Sequence, residues 1–428
     1  MDQFFRLTEN GTTIRTEILA GLTTFLTMAY IVAVNPGMMA AAGIDQGAAF
    51  VATCLAAAIG SALMAFLANY PIALAPGMGL NAFFAFAVVG GMGISWQVAL
   101  GAVFLSGVIF FLVSLVGFRE WLINGIPLSL KLGIAAGIGL FLGLIGLKNL
   151  GLVVAHPATF VAMGPIASAP VLLGCAGFVL IAGLVARNMP GAIVIGILVT
   201  ALAGIPFGLT RFTGIVSVPP SLAPTFLQMD IAGALSLGVA SIVFTFFMVD
   251  LLDNAGTLIA TTHRAGLMRP DGSVPRLGRA LMADSGGAMI GATLGTSTTV
   301  SYIESAAGIQ AGGRTGLTAL TVAVLFLLAL FLAPLATSIP AFATAPALIF
   351  VACLMAHSLK DLAWEDSTEY LPAILGAIAM PFTFSIATGI GLGFIAFAAI
   401  KTVAGRAGEV HGAVWLIAAL SAIKFALG

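Results

Sequence analysis

The sequence predicts an all-α polytopic membrane protein, and three observations carry that prediction. The 428-residue chain is 60% hydrophobic and only 7% charged, against roughly 25% charge in a soluble domain. Its mean hydropathy is +1.15. The apolar runs are continuous and of bilayer length, without the period-two alternation of a membrane β-barrel. At about 20 residues per crossing plus short loops, such a chain holds roughly 12–15 helices. We expect 14.

In order, the runs read as helices near 17–38, 46–68, 74–88, 95–117, 127–148, 165–186 and 189–206. A second set follows near 231–259, 277–294, 297–311, 315–335, 341–358, 370–384 and 386–404. The final run, 411–427, is one more candidate than the expected crossings, so one segment near the C-terminus reads as a half-helix or re-entrant piece. The abundant glycine, 52 residues, suits close helix packing and broken helices.

Basic residues set the orientation. Arg6 and Arg15 precede the first helix, and Arg119, Arg187, Arg314 and Lys360 each follow an even-numbered one. The loop after the eighth holds His263, Arg264, Arg269, Arg276 and Arg279. By the positive-inside rule the N-terminus and that loop are cytoplasmic, in the cell (inner) membrane. The start of the chain has no signal-peptide pattern. A net charge of zero gives no reason to expect a nucleic-acid partner. Cys54, Cys175 and Cys353 lie far apart in apolar runs, with no metal-ligand or redox spacing. No GxxxxGK[ST] loop is present, so ATP does not drive the protein through a P-loop. Neither a cofactor nor a metal is expected.

Two short segments interrupt the pattern. Residues 74–88 contain Ala75-Pro-Gly-Met-Gly-Leu-Asn81, and residues 295–311 contain the hydroxyl-rich run from Thr296 to Ser301 followed by Glu304. Such breaks are tolerated at membrane depth where a cavity re-satisfies the backbone. Matching breaks in two halves mark the site of a transporter built from inverted repeats. The step from Tyr30 to Asn81 equals that from Asp253 to Glu304, and seven helices per repeat would make the halves inverted.

Glu304 is the leading site candidate. A carboxylate at the centre of a membrane helix costs about 2.5–3.5 kcal/mol and usually faces a polar cavity. Burial disfavours its charged form, which lets it take up and release a proton. Thr298, Thr299 and Ser301 stand ready to cap the break or to donate to a ligand. Asp250 and Asp253 share one helix face, and two like charges so close favour protonation or pairing. Asp253, nearer the helix-weakening Asn254-Ala-Gly-Thr257, is the candidate ligand group, and Asp250 a partner for the facing half-helix. Thr257 closes that segment. Asn81 can donate and accept at once, which suits the edge of a base. Phe83 and Phe84 offer faces for stacking a flat ligand, although packing explains most phenylalanines in such a chain. Thr27 and Tyr30 fall on the first helix opposite Asp253 under the repeat alignment.

These residues carry a resemblance. Ala75-Pro-Gly-Met-Gly-Leu-Asn-Ala-Phe-Phe84, Phe247-Met-Val-Asp-Leu-Leu-Asp-Asn-Ala-Gly-Thr-Leu258, Leu294-Gly-Thr-Ser-Thr-Thr-Val-Ser-Tyr-Ile-Glu-Ser-Ala-Ala-Gly308 and Gly312-Gly-Arg-Thr-Gly-Leu317 resemble the AzgA-like hypoxanthine/adenine/guanine permeases. These belong to the xanthine/uracil permease superfamily of nucleobase:cation symporters. The likeness runs over essentially the whole chain. It implies about 14 transmembrane helices in two inverted seven-helix repeats, with helices 3 and 10 broken. The implied core comprises residues 1–117 and 230–336, and the gate residues 118–229 and 337–428. It further implies proton-coupled uptake of a purine nucleobase (adenine, guanine or hypoxanthine), and no enzymatic reaction. Substrate would be held by Asp253, Glu304 and Asn81, and protons carried by Glu304, Asp253 or Asp250. Asn254-Ala255 stands where relatives often carry Thr or Ser, which leaves base preference open. A homodimer is compatible with this reading. The competing reading is an anion or dicarboxylate exchanger of the same broad fold, but no Lys or Arg stands near the breaks and Glu304 would repel an anion.

Overall fold

The computed structural model describes residues 2–115, 125–267 and 274–427. Within the eighth helix some side chains, that of Asp253 among them, lie outside the described set. Arg119 and Arg269 also fall outside the described residues.

The first half of the chain forms α1 (Ile14–Ala41), α2 (Gln46–Ala68), α3 (Met78–Val89), α4 (Trp96–Leu115), α5 (Leu128–Leu150), α6 (Ala169–Ala186) and α7 (Ala192–Ala203). The second forms α8 (Leu237–Arg264), α9 (Leu277–Leu294), α10 (Ser305–Gln310), α11 (Gly316–Thr337), α12 (Ala341–Ala356), α13 (Ser367–Phe382), α14 (Ile386–Val403) and α15 (Gly412–Leu427). Among the described residues, eight helices are long and apolar enough to cross a membrane, with four shorter apolar ones beside them. The final apolar run is a complete helix, α15, lying against α14.

One addition to the helical plan sits at the centre. Strand β1 (Leu74–Pro76) and strand β4 (Thr299–Ser301) pair antiparallel, with Leu74 opposite Ser301 and Pro76 opposite Thr299. A second, peripheral hairpin joins β2 (Val153–His156) to β3 (Phe160–Met163). The reason for the central pair lies in the sequence. Pro76 has no N–H and disfavours a helical residue before it. The Ser/Thr run competes for backbone hydrogen bonds. Two extended stretches at the same depth satisfy each other instead. Flanking bonds from Gly77 N to Thr298 O (2.9 Å) and from Tyr302 N to Ala73 O (2.9 Å) lengthen the ladder. The Tyr302 hydroxyl adds a bond to Pro76 O at 2.6 Å. Each strand feeds a half-helix, β1 into α3 and β4 into α10. Helix α3 passes into π-helical turns at Phe83–Val89.

Packing divides the helices into two groups. Helix α2 packs on α9 and α11, α1 on α10 and α11, and α4 on α8 and α9. Helix α5 packs on α12 and α13, α6 on α7 and α12, and α13 on α14. Close approach in the first group is made by glycine. A Cβ on Gly308 would stand 2.1 Å from Thr24 Oγ1 and 2.4 Å from Ala20 O, so α10 and α1 touch through backbone. At the same end, Glu17 is fully buried and caps α11. Its carboxylate accepts from Arg314 N (2.9 Å), Thr315 N (3.2 Å), Thr318 N (3.2 Å) and Thr318 Oγ1 (2.6 Å).

Candidate functional site

The strand crossing and its two half-helices define the site. Glu304 is the N-cap of α10 and makes no capping bond of its own. It is half-buried. Its carboxylate instead accepts from the Tyr30 hydroxyl at 2.7 Å, and Thr27 Oγ1 donates to the Glu304 carbonyl at 3.4 Å. Tyr30 stands at the break between Ile14–Met28 and Ile31–Ala41. Pro36 just beyond it cannot donate to the carbonyl one turn back, which weakens the helix there. The irregular turn of α1 thus aims a phenol at the irregular start of α10. The separate expectations for Thr27, Tyr30 and Glu304 meet in one cluster.

Across the crossing, Asn81 lies one turn inside α3 and is fully buried. Among the described residues neither atom of its amide has a hydrogen-bond partner. A buried amide without partners costs about 1–3 kcal/mol. The equal sequence steps align Asn81 with Glu304, whereas structurally the N-cap matching Glu304 is Gly77. The two halves are therefore offset by about a turn at this point. Phe83 and Phe84 are fully buried, and Phe83 meets Phe246 of α8 edge to face at 5.1 Å. This contact ties α3 to α8.

Helix α8 carries Asp250, Asp253, Asn254 and Thr257. The Asp253 side chain lies outside the described residues, and Thr257 is half-buried one turn further on. Asp250 belongs to a knot that the sequence reading did not foresee. The Asn254 amide nitrogen donates to Asp250 Oδ1 (2.6 Å) and to Asp284 Oδ2 of α9 (2.5 Å). Ser301 N donates to Asn254 Oδ1 and Asp284 Oδ1, and Ser301 Oγ donates to Asp284 Oδ1, all at 3.0 Å. All four residues are buried. The knot fixes β4 to α8 and α9 together.

The hydroxyls divide by the alternation of the strand. Ser301 and Thr299 face α9. The Thr299 side chain fills the space above Gly60, Gly287 and Gly291, with its hydroxyl 2.7 Å from where a Gly291 Cβ would stand. Thr298 lies on the opposite face, buried, its hydroxyl without a partner among the described residues. The Thr299 hydroxyl is likewise without a partner among the described residues, whereas Ser301 is bonded into the helix seam.

Comparison with known proteins now decides the family. The family profile described as Permease family (Xan_ur_permease) matches residues 15–392. The chain belongs to this permease family. Adenine permease AdeQ of Escherichia coli K12 is 48% identical over 100% of this chain and 96% of its own. Guanine/hypoxanthine permease PbuG of Bacillus subtilis is 50% identical, covering 96% of each. Among solved structures, the transmembrane domain of the cyanobacterial bicarbonate transporter BicA superposes with a TM-score of 0.68 at 18% identity, over 88% of this chain and 96% of that one. This likeness shows the fold, two inverted repeats with broken helices 3 and 10. The permease is an integral membrane protein and not an enzyme.

Among this permease's buried polar residues, sequence reasoning passed over Asp284 and Glu17 and did not foresee the bridging role of Asn254. Asp284 did leave a signal, because it is an acid inside the apolar run 277–294. The rule that singled out Glu304 applied to it equally.

Proposed function

We propose that this chain is a secondary transporter taking up purine nucleobases (adenine, guanine or hypoxanthine) together with protons across the inner membrane, its N-terminus cytoplasmic. The observation that carries the proposal is the Tyr30–Glu304 pair at the start of α10, beside a crossing that also holds a buried Asn81 amide with no hydrogen-bond partner among the described residues. Relatives named adenine permease and guanine/hypoxanthine permease support the substrate class. A purine offers ring N–H donors and ring-nitrogen acceptors on one edge. Glu304 and Asp253 accept from the N–H groups, and Asn81 pairs with an adjacent donor and acceptor. Thr27, Thr257 and Thr298 supply hydroxyls nearby. Tyr30 orients Glu304, while Thr299 and Ser301 hold the strand in place. Phe83 and Phe84 wall the site. An anion as cargo would be repelled by Glu304.

Helices α1–α4 and α8–α11 form the core in this reading, and the remaining helices the gate that moves against it; two copies make a homodimer. Protons are the coupling ion because Glu304, Asp253 and Asp250 are titratable groups on the helices that bear the site. Close carboxyls titrate as a coupled set, so the proton belongs to the set.

Radiolabelled base uptake in cells lacking their own permeases, with and without a protonophore, tests the activity. Uptake that ignores the protonophore and follows an imposed sodium gradient in proteoliposomes would overturn the coupling. For the site, Glu304→Gln keeps shape but loses the charged acceptor. Purine binding should weaken by about 1.5–3 kcal/mol, the range for hydrogen bonds to charged groups, in a direct binding assay. Wild-type affinity would remove Glu304 from the site.

A further inference from the structure

A cavity of about 530 Å³ lies away from the strand crossing, where the N-terminal segment meets the end of α2 and the start of α9. Its walls include Arg6, Arg276 and Arg279, with Glu9 the acid among the lining residues. Glu9 reaches Arg6 at 3.6 Å with both side chains largely exposed, a pairing worth little. Three guanidiniums thus line one cavity, with Glu9 the opposing charge among its described lining residues. Burial holds the Arg276 guanidinium below its ordinary value, and Arg6 and Arg279 press the same way against the opposing effect of Tyr70.

The backbone around this cavity is held in an unusual state. Arg6, Asn69 and Arg276 adopt left-handed φ values of 54°, 54° and 63°. Left-handed geometry at non-glycine residues persists only where the surroundings enforce it. Here the Asn69 amide donates to Phe5 O and accepts from Gly316 N. Arg276 lies over the Tyr70 ring at 5.5 Å, and the Tyr70 hydroxyl donates to Pro275 O. Beside the arginines the rim turns apolar: Phe4, Phe66 and Leu67 are 55%, 51% and 41% exposed, at the depth where two membrane helices end.

We propose that this cavity seats the phosphate of an anionic phospholipid headgroup, with Phe4, Phe66 and Leu67 against its acyl chains. Basic pockets at helix ends facing the cytoplasm suit such headgroups. Arginine forks phosphate bidentately. Fixing topology needs positive charge near the helix end, but it does not need three guanidiniums around one cavity with an exposed apolar rim. The orientation of this end rests on the proposed function; the ligand does not.

The test uses full-length protein in mixed micelles of phosphatidylglycerol and phosphatidylcholine, with retained lipid read by native mass spectrometry. Wild type should retain phosphatidylglycerol over phosphatidylcholine by roughly a hundredfold, about fivefold for each of the three arginines. Arg276→Gln and Arg279→Gln each leave one arginine at the start of α9 to hold topology, and each should lower the preference several-fold. Arg187→Gln, at a different helix end, should leave it unchanged. Purine binding by each variant confirms that it is folded. Unchanged preference in both α9 variants overturns the site. Loss of bound lipid to inorganic phosphate at equal concentration assigns the cavity to free phosphate and overturns the lipid.

Discussion

At the residue scale, the chemistry gathers where carboxylates are held by specific donors. Asp284 takes bonds from Asn254 and from both donors of Ser301, so Asp284→Asn presents an amide where those bonds need a charged acceptor. The change should destabilise the protein by about 1.5–3 kcal/mol, read as a lowered thermal midpoint in detergent. It should also cut uptake, because β4 loses its tie to α9. Undiminished stability would mean that Asn254 alone secures the strand. Glu304 was legible in the sequence because an acid in an apolar run is costly and therefore purposeful. Its partner Tyr30 was legible only through the repeat alignment, since a tyrosine in a membrane helix carries no such cost. Asn254 was read as a helix-weakening residue. Its role as a bridge between two acids depends on α9 packing beside α8, and no local pattern encodes that.

At the element scale, the long apolar runs fixed the helices well, because bilayer length and continuous hydrophobicity leave few alternatives. The strands escaped, since three-residue stretches are too short for any periodic signal. Their pairing links residues far apart in the chain. The glycine contacts give a sharp test. Gly308→Ala would push a methyl into Thr24 and Ala20 of α1, and overpacking of this kind costs about 1–3 kcal/mol. Because Glu304 begins the same short helix, the shift should also break its bond to Tyr30. Uptake should then fall more steeply than expression, as measured by transport normalised to protein in the membrane.

The ends of α13 and α14 carry a charged cluster with its own signature. Lys401 pairs with Glu369 at 2.7 Å and with Glu409 at 2.9 Å, and Arg406 with Asp366 at 2.7 Å and Glu409 at 2.8 Å. Arg406 first, then Lys401, holds the Glu409 carboxyl down to about 2 from an ordinary value of 4.5. A carboxyl lowered on folding stabilises the folded state above its unfolded value and loses that contribution as pH falls toward the folded one. Thermal stability should therefore decline between about pH 4.5 and 2 more in wild type than in Glu409→Gln, measured by melting across that window. Parallel acid limbs would show that the cluster carries no stability.

At the scale of the whole molecule, the proposed division between core and gate rests on the family resemblance and on the motifs falling in α1–α4 and α8–α11. The motifs all fall in one group, and in the proposed function a relative motion of the other opens the site alternately to either side. Composition gave the class of molecule, and the repeat pattern its symmetry. The offset of about a turn that puts Gly77, and not Asn81, opposite Glu304 was not legible, because equal sequence spacing does not guarantee equal depth once insertions differ between halves.

The central strand pair also constrains how the protein is made. Tyr302 and Pro76, bonded at its edge, are 226 residues apart in the chain. At about 5–20 residues per second of synthesis, β1 waits roughly 10–45 s in the membrane for its partner to emerge. Throughout that interval the backbone polar groups of Leu74–Pro76 lie at bilayer depth without their ladder. A nascent first half therefore needs shelter from lipid, by the insertion machinery or by a chaperone, until the second half arrives. The first repeat expressed alone should be cleared by membrane proteases, and co-expression of the second repeat as a separate polypeptide should rescue it.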